Sequence, residues 1–152
     1  MQAIVPHFIE REQGHVIDVS SFLGRVPLVN DRSACNAAKA ALNALTANLR
    51  VDLARTRPGI HVSLVIPGVV STELARNALG GVRQLPPGVM PGRSQSPEEA
   101  AGVSVALIGN PVPEVYTNPA QAGVVARYYT EVAAFERASG PRGLNLDCGS
   151  PP

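Results

Sequence analysis

The chain has 152 residues, of which 45% are hydrophobic and 16% charged, and its formal net charge is +1. This length suits one domain with a sizeable core, and the composition is typical of a globular protein rather than a disordered one. A charge this close to neutral argues against electrostatic binding of nucleic acid or of a membrane surface. Only 4% of the residues are aromatic and none is tryptophan, so few side chains could stack on the bases of single-stranded nucleic acid.

The two cysteines, Cys35 and Cys148, are far apart in the sequence and form neither a disulfide framework nor a zinc-binding pattern with the histidines. Such sparse cysteine usage favours a reducing compartment, so we expect a cytoplasmic protein without a metal site. The segment 1–7 is not expected to be a signal peptide, because Pro6 interrupts its short apolar stretch. No apolar run is long enough to cross a bilayer, and no membrane partner is expected.

The first predicted strand covers residues 15–20, a β-branched run that follows Gly14. Its Asp18 is unusual for a buried strand, because a carboxylate there requires a partner. A long helix is predicted over 32–56 and ends before Pro58. The apolar stripe of this helix is predicted to consist of Ala38, Leu42, Leu45, Leu49 and Leu53.

The rest of the chain alternates between helix and strand signals. A strand is predicted over 60–66, and the Gly- and Pro-rich segment 80–95 is predicted to be a loop. Ser96 is predicted to cap a helix, because Pro and Glu follow at its first and third positions. The further predicted elements are helices over 72–79, 96–108 and 119–138, a strand over 114–117 and a disordered tail over 139–152. This order predicts an α/β domain over 1–138, with a partial doubly wound parallel sheet of about three strands.

Three polar side chains are predicted to share one crevice. Ser21 follows the first strand at its carboxyl end, where open α/β sheets bind their ligands. Cys35 and Lys39 are four residues apart in the long helix, so they lie one turn apart on the same side. Their position at the margin of the apolar stripe directs Lys39 toward the strands rather than into solvent.

The motifs around these residues resemble those of the short-chain dehydrogenase/reductase family. The segment 14–24 is similar to the family's fifth strand and its serine, and 35–42 is similar to its catalytic helix. The segment 59–72 is similar to its sixth strand and to the Pro-Gly turn that ends in Thr. The three motifs follow the family's order and spacing across nearly the whole chain. The resemblance implies a Rossmann-like fold whose amino-terminal half would precede Met1, with residues 1–11 as the end of the helix before the fifth strand.

The resemblance implies an NAD(P)-dependent oxidoreductase that exchanges a hydride with a small alcohol or carbonyl substrate. Ser21 would hydrogen-bond the carbonyl oxygen, and Cys35 stands where the family has the tyrosine that transfers the proton. Lys39 would hold the nicotinamide ribose, and its charge would favour proton release by that tyrosine. The other residues that would contact NAD or NADP are Pro67, Gly68, Val70 and Thr72. The loop over 80–95 would close over the substrate.

The chain departs from the family pattern in two respects. The Cys35 side chain is much shorter than a tyrosine, whereas a proton donor must come within about 2.6–3.2 Å of the reacting oxygen. No Gly-rich strand–turn–helix that would bind the cofactor's pyrophosphate occurs in these residues. We therefore expect a truncated chain whose activity is impaired or absent.

Two alternatives are compatible with the same residues. The chain could be a non-catalytic interaction or regulatory subunit that pairs through helix 32–56, as a homo-oligomer or with a full-length relative. It could also be an unstable gene fragment, because a three-stranded sheet buries little apolar surface to offset chain entropy. Among single residues, Ser21 could cap local backbone, Lys39 could be a surface lysine, and Cys35 could be a small buried apolar residue. Thr72 could simply cap the helix predicted after it.

Overall fold

Three parallel strands and five helices make up the part of the chain that the computed structural model describes, which is residues 1–28, 32–74, 77 and 93–139. The strands are β1 (Gly14–Val19), β2 (Ile60–Ile66) and β3 (Glu114–Tyr116). The helices are α1 (Ile4–Glu10), α2 (Ser33–Ala54), α3 (Pro97–Gly109), α4 (Ala120–Thr130) and α5 (Val132–Ser139). This architecture confirms the predicted partial doubly wound sheet.

The sheet has the order β1–β2–β3, so β2 lies in the centre. Gly14 pairs with Ile60 near one end of the sheet, and Ile66 pairs with Tyr116 near the other. Every residue of β2 except His61 is buried, as expected for a central parallel strand that is covered on both faces. The carboxyl ends of all three strands therefore meet at one edge.

Apolar side chains pack on the sheet in two clusters. Toward the amino ends of the strands, α1 and α2 cover the cluster formed by Val16, Leu53, Ile60 and Val62. Toward the carboxyl ends, the buried cluster consists of Phe22, Val26, Leu28, Leu64, Ile66 and Phe135. Burying one large apolar side chain contributes about 1.5–3 kcal/mol. The second cluster thus anchors the edge of the sheet at which the candidate site lies.

The side of α2 that faces the sheet is largely polar, so the predicted apolar stripe is wrong in part: two of its five members are exposed, two are partly buried and one is buried. The Leu45 side chain is 54% exposed, whereas Asn43 and Thr46 are buried. Thr46 Oγ1 donates a 2.7 Å hydrogen bond to Oδ2 of Asp18, which is the partner that this carboxylate requires. Arg50 donates to one backbone carbonyl oxygen of β2 and to another just before β3. Polar groups on the strands therefore select this side of the helix.

The prediction of a single last helix over 119–138 is wrong, because the structure has two helices there. Glu131, with φ −138° and ψ 59°, separates α4 from α5. The interruption brings Phe135 into the core, where its ring packs edge-to-face on Tyr128 with 5.4 Å between the centroids. Burial of an aromatic ring in such a contact favours two short helices over one long one.

Most other predicted boundaries shift by one or two residues. The strand over 60–66 is confirmed in full, and α1 confirms a helix within residues 1–11. The segments predicted at 15–20, 32–56, 96–108 and 114–117 form Gly14–Val19, Ser33–Ala54, Pro97–Gly109 and Glu114–Tyr116. Ser96 caps α3 as predicted, because its hydroxyl accepts a 3.2 Å bond from the Glu99 amide and its own amide donates to the Glu99 carboxylate.

The predicted helix over 72–79 is wrong at the positions that the structure describes, since Thr72–Leu74 and Asn77 lie in a bend and in turns. The remaining positions of that prediction, and most of the loop predicted over 80–95, lie outside the described residues. Of the tail predicted over 139–152, only Ser139 is described, and it belongs to α5. The domain boundary at 138 therefore stays a prediction.

Candidate active site

All of the predicted site residues line one cavity at the carboxyl ends of the strands. The cavity has a volume of about 490 Å³. The predicted residues in its wall are Ser21, Cys35, Lys39, Pro67, Gly68, Val70 and Thr72. The ends of β1 and β2, parts of α3 and Thr117, just beyond β3, also line it. The predicted crevice is thus confirmed as a place where these side chains meet.

Ser21 lies between β1 and a short 3₁₀ turn, Phe22–Gly24. Its Oγ accepts a 3.2 Å hydrogen bond from the Leu23 amide and so caps that turn. A hydroxyl that accepts one bond still carries a proton that it can donate. The capping role considered for Ser21 is therefore present, and it leaves the hydroxyl proton available to a ligand in the cavity.

Lys39 reaches the cavity because α2 passes very close to the loop after β1. A Cβ added at Gly24 would lie 2.8 Å from Cβ of Lys39, so only glycine permits this approach. Lys39 Nζ donates a 3.0 Å hydrogen bond to the carbonyl oxygen of Val19 at the end of β1. The predicted orientation of Lys39 toward the strands is confirmed, and its ammonium group has two further donors.

Cys35 lies in the first turn of α2 and carries an exposed, free thiol. The alternative of a small buried apolar residue is therefore wrong at this position. Its side chain and that of Lys39 both line the cavity, one helical turn apart. Cys148 lies outside the described residues.

The turn after β2 is fixed from two sides. The carbonyl oxygen of Pro67 accepts a 2.9 Å hydrogen bond from the Phe22 amide, which links the turn to the loop that carries the site serine. On the other side, the Gln121 side chain packs against Gly68 so closely that a Cβ there would overlap the Gln121 amide nitrogen. Gln121 is 1% exposed, so it cannot move away into solvent. This packing explains why glycine occupies the position.

Thr72 caps a turn rather than a helix. Its Oγ1 accepts a 3.3 Å hydrogen bond from the amide of Leu74, which is the bond expected of a residue at the start of a helix. The described residues after it do not continue as a helix. Val70, two residues earlier, forms an isolated parallel bridge with Gln95.

Three residues that hold the site together were not predicted from the sequence: Asn43, Gln95 and Thr117. Asn43 Oδ1 accepts a hydrogen bond from the Ser20 hydroxyl, and its Nδ2 donates a 3.1 Å bond to the Gly24 carbonyl oxygen. Its position one turn after Lys39 was a usable signal, because residues four apart share one side of a helix. Gln95 and Thr117 carried no such signal, since they are distant in sequence from the motifs.

A second polar cluster lies on the opposite face of the sheet from Asp18. Ser63 Oγ donates a 2.6 Å hydrogen bond to the Val112 carbonyl oxygen and lies 2.8 Å from Nε2 of His15. Since the serine proton is committed, His15 carries its proton on Nε2, and its buried Nδ1 has no hydrogen-bond partner among the described residues. Burial, and secondarily the nearby His61, lower the pKa of His15 below its ordinary value.

None of the helices in the described residues is long and apolar enough to cross a membrane. No group of three or more His, Cys, Asp or Glu side chains in these residues is arranged to hold a metal ion.

Sequence comparison decides the family. The sequence model of the short chain dehydrogenase family matches residues 1–81, slightly more than half of the chain. The chain belongs to the short-chain dehydrogenase family. Over 80 residues it is 40% identical to human dehydrogenase/reductase SDR family member 7, a match that covers 53% of this chain and 23% of that relative. The chain thus spans about a quarter of the length of this curated short-chain dehydrogenase.

Solved structures of short-chain dehydrogenases share the fold. A short chain dehydrogenase from Burkholderia cenocepacia in complex with NADP superposes with a TM-score of 0.69 at 27% identity, covering 92% of this chain and 54% of that one. A short-chain dehydrogenase from Sphingobium yanoikuyae in complex with NADPH has a TM-score of 0.66 at 22% identity, covering 94% of this chain and 52% of that one. The chain therefore spans about half of each of these structures.

Proposed function

We propose that the 490 Å³ cavity is the nicotinamide side of an NAD(P)-dependent oxidoreductase site that acts on a small alcohol or carbonyl compound. The observation that carries the proposal is the convergence of seven motif residues from three separate segments on one cavity. Membership of the short-chain dehydrogenase family supplies the class of chemistry. We further propose a cytoplasmic location, because the sparse cysteines suit a reducing compartment.

The residues of the cavity fit a nicotinamide riboside. A ribose needs hydrogen-bond donors and a nicotinamide ring needs an apolar surface, and the cavity offers both. The Lys39 ammonium group has donors left after its bond to Val19, and Val65, Pro67 and Val70 supply apolar wall. When bound, NAD(P) would accept a hydride from the substrate or supply one to it.

The chain's own side chains would bind and orient the substrate. The hydroxyl proton of Ser21 can be donated to a carbonyl oxygen, because the Ser21 oxygen already accepts from the Leu23 amide and is thereby oriented. Lys39 is held at the end of β1 by the Val19 carbonyl, so its charge lies beside the place where the ribose would bind. A fixed cation and a fixed donor reduce the reorganisation needed during the reaction.

Cys35 limits the chemistry that this site can perform. Its thiol stands at the position of the family's proton-transferring tyrosine, but a cysteine side chain extends only one atom beyond Cβ. A proton donor acts at about 2.6–3.2 Å, so a water molecule would have to bridge the thiol and the substrate oxygen. We therefore propose cofactor binding with impaired turnover.

Protection of the Cys35 thiol tests cofactor binding directly. In a Cys148→Ser background Cys35 is the sole thiol, and we expect saturating NADPH or NADH to slow its reaction with a thiol reagent. The dissociation constant from this protection should agree with the one from a nicotinamide fluorescence titration. A folded chain whose Cys35 reacts at the same rate with and without either dinucleotide would refute the proposal.

Two lysine-site variants provide the matched comparison. Lys39→Met removes the ammonium group from the cavity wall, so we expect it to abolish the protection of Cys35. Arg55→Met removes an exposed cation just after α2, and protection should persist. Equal effects of the two variants would mean that the dinucleotide is attracted by charge in general and not bound at this site.

Restoring the tyrosine tests the proton-transfer step. We expect Cys35→Tyr to raise the rate of NADPH oxidation with cyclohexanone or acetophenone as the carbonyl by about a hundredfold or more, the usual contribution of a placed general acid. Cys35→Phe, which restores the ring without the hydroxyl, serves as the control and should not raise the rate. A similar gain in both variants would show that ring packing, and not proton transfer, limits turnover.

We propose self-association through α2 as a second function, because one side of this helix leaves apolar surface exposed. A groove of about 350 Å³ between α1 and α2 is lined by residues that include Val5, Leu45 and Leu49. The Leu45 side chain at its edge is 54% exposed. Exposed apolar patches of this kind commonly mark contacts with another protein. A second copy of the chain, or a longer relative with the same helix, would bury it.

Sedimentation velocity distinguishes this pairing from a monomeric chain. We expect the wild-type chain to form a dimer and Leu45→Lys to dissociate it. Val51→Lys is the control, because Val51 is 70% exposed but lies on a different side of α2. A wild-type monomer at all concentrations, or equal effects of the two variants, would refute pairing through the groove.

A further inference from the structure

The backbone of Gln95 is tied to the turn that follows β2. The Gln95 amide donates a 2.9 Å hydrogen bond to the Val69 carbonyl oxygen, and the Ser71 amide donates a 2.9 Å bond to the Gln95 carbonyl oxygen. These two bonds lie on either side of Val70, which lines the cavity. Gln95 therefore fixes the backbone on both sides of a cavity residue.

The side chain of Gln95 is tied to the end of β3. Its Nε2 donates a 3.0 Å hydrogen bond to the Thr117 carbonyl oxygen, and Thr117 Oγ1 donates a 2.6 Å bond to its Oε1. Thr117 lines the cavity and is 6% exposed. Its amide in turn donates a 3.1 Å bond to the Ile66 carbonyl oxygen at the end of β2. One residue thus connects two parts of the cavity wall.

At neutral pH, only a primary amide of this length satisfies both side-chain bonds at once. Nε2 must donate and Oε1 must accept, and the two groups bond the carbonyl and the hydroxyl of the same threonine. A glutamate carboxylate retains the acceptor but sets a negative oxygen against the Thr117 carbonyl. A methionine retains the length and offers neither bond.

We propose that Gln95 is a positioning residue for the nicotinamide cofactor, holding Val70 and Thr117 at the fixed separation that the bound cofactor requires. This inference rests on the function proposed for the cavity. Gln95 does not line the cavity, so it acts through the two residues that do. At metal sites, residues that orient the metal's ligands change affinity or activity by about 10–100-fold, and we expect an effect of this order here.

Dinucleotide affinity of a Gln95→Met variant is the first test. We expect its dissociation constant for NADPH, measured by nicotinamide fluorescence, to rise about tenfold or more. The control is Gln13→Met, an exposed glutamine before β1, which should bind like the wild type. We also expect the Ser71 amide of Gln95→Met to exchange its hydrogen faster than in the wild type, while the amides of β2 stay protected.

A Gln95→Glu variant separates positioning from a purely structural role. Above the pKa of the new carboxyl group we expect weak NADPH binding, because the carboxylate faces the Thr117 carbonyl oxygen. As the pH falls and this group gains a proton, it can again donate one bond and accept the other, so affinity should recover toward that of the wild type at the same pH. A purely structural contact would leave the pH profile of binding parallel to the wild-type profile.

The outcomes identify which proposal fails. A folded wild-type chain that does not bind NADPH refutes the function proposed for the cavity. Wild-type binding together with an unchanged dissociation constant in Gln95→Met overturns the assignment of Gln95 alone. Parallel pH profiles for Gln95→Glu and the wild type also overturn it, whereas recovery at low pH supports it.

Discussion

In the middle of helix α2, the usual arrangement of polar and apolar sides is reversed. The side that faces the sheet carries the buried Asn43 and Thr46, whereas Leu45 and Val51 are exposed on other sides. Amphipathic helices normally turn their apolar side to the core. Here only Leu53, at the carboxyl end of the helix, is both apolar and buried.

The difference shows what the neighbouring strands require of the helix. Asp18, the Ser20 hydroxyl and the Gly24 carbonyl all face α2, and each needs a hydrogen-bond partner where the helix shields it from water. Asn43 and Thr46 supply these partners. The same polar side carries Lys39 toward the cavity, so the contacts that anchor the helix also position the candidate active site.

Removing the anchor that bonds two groups outside α2 should have the largest effect. We expect Asn43→Leu to lower the free energy of unfolding by about 3 kcal/mol, because the Ser20 hydroxyl and the Gly24 carbonyl oxygen lose their partner. Asn48→Leu, at an exposed position five residues later, should change it little at a concentration where the chain is monomeric. Urea denaturation followed by circular dichroism measures both, and equal stabilities would show that the polar side does not anchor the helix.

Thr46→Val should have a smaller effect, about 1–2 kcal/mol, since it leaves the Asp18 carboxylate without its 2.7 Å donor but preserves the shape of the side chain. The double variant Asp18→Val, Thr46→Val tests the cause. Replacing both partners by apolar groups removes the unsatisfied carboxylate, so the double variant should be more stable than Thr46→Val alone. A double variant that is less stable than the single one would contradict this account.

The comparison extends to His15, a polar group on the other face of the sheet whose buried Nδ1 lacks a partner among the described residues. Because burial lowers its pKa in the folded state, the unfolded chain takes up the proton more readily. The free energy of unfolding should therefore begin to fall as the pH drops below about 6.5, the ordinary pKa of histidine. It should keep falling until the pH is below the pKa of His15 in the folded state. Thermal unfolding from pH 8 to 5 measures this.

Two variants test whether His15 causes this pH dependence of stability. His15→Gln keeps a donor for Ser63 but cannot be protonated, so its melting temperature should fall less on acidification than that of the wild type. His7→Gln, at an exposed position in α1, should behave as the wild type does. An unchanged pH dependence in His15→Gln would assign the effect to other groups.

The smallest effect is expected on the outward side of α2. Leu45→Ser should change the free energy of unfolding by about 0.5 kcal/mol or less, because the side chain is already 54% exposed. The measurement is urea denaturation at a protein concentration where the chain is monomeric. A loss comparable to that of Asn43→Leu would remove the contrast between the two sides.

Local signals in the sequence were sufficient for most elements of the fold. β2 was predicted in full because a run of buried apolar residues ends at a Pro-Gly pair, and α3 because its cap residues are explicit. The break at Glu131 could not be predicted, since it depends on the packing of Phe135 against the core. The orientation of α2 was missed for the same reason, because the polar groups that select it lie in β1 and the loop that follows.

The convergence of the candidate site could be predicted because it follows from topology. Ser21, Cys35, Lys39 and the Pro67–Gly68 turn lie near the ends of elements whose order fixes their meeting point. The supporting contacts could not be predicted. Gln95 and Thr117 meet only after α3 and β3 have packed, and no spacing in the sequence relates them to the motifs.

The parallel arrangement of the strands has a consequence for how the chain folds. Gly14 pairs with Ile60 and Leu64 with Glu114, so no strand can pair before dozens of intervening residues have been brought into place. Closing such large loops costs entropy before any contact stabilises them, which slows folding. During that delay β1 and β2 present unpaired apolar edges to other chains. We expect refolding to be slow and its yield to fall as the protein concentration rises.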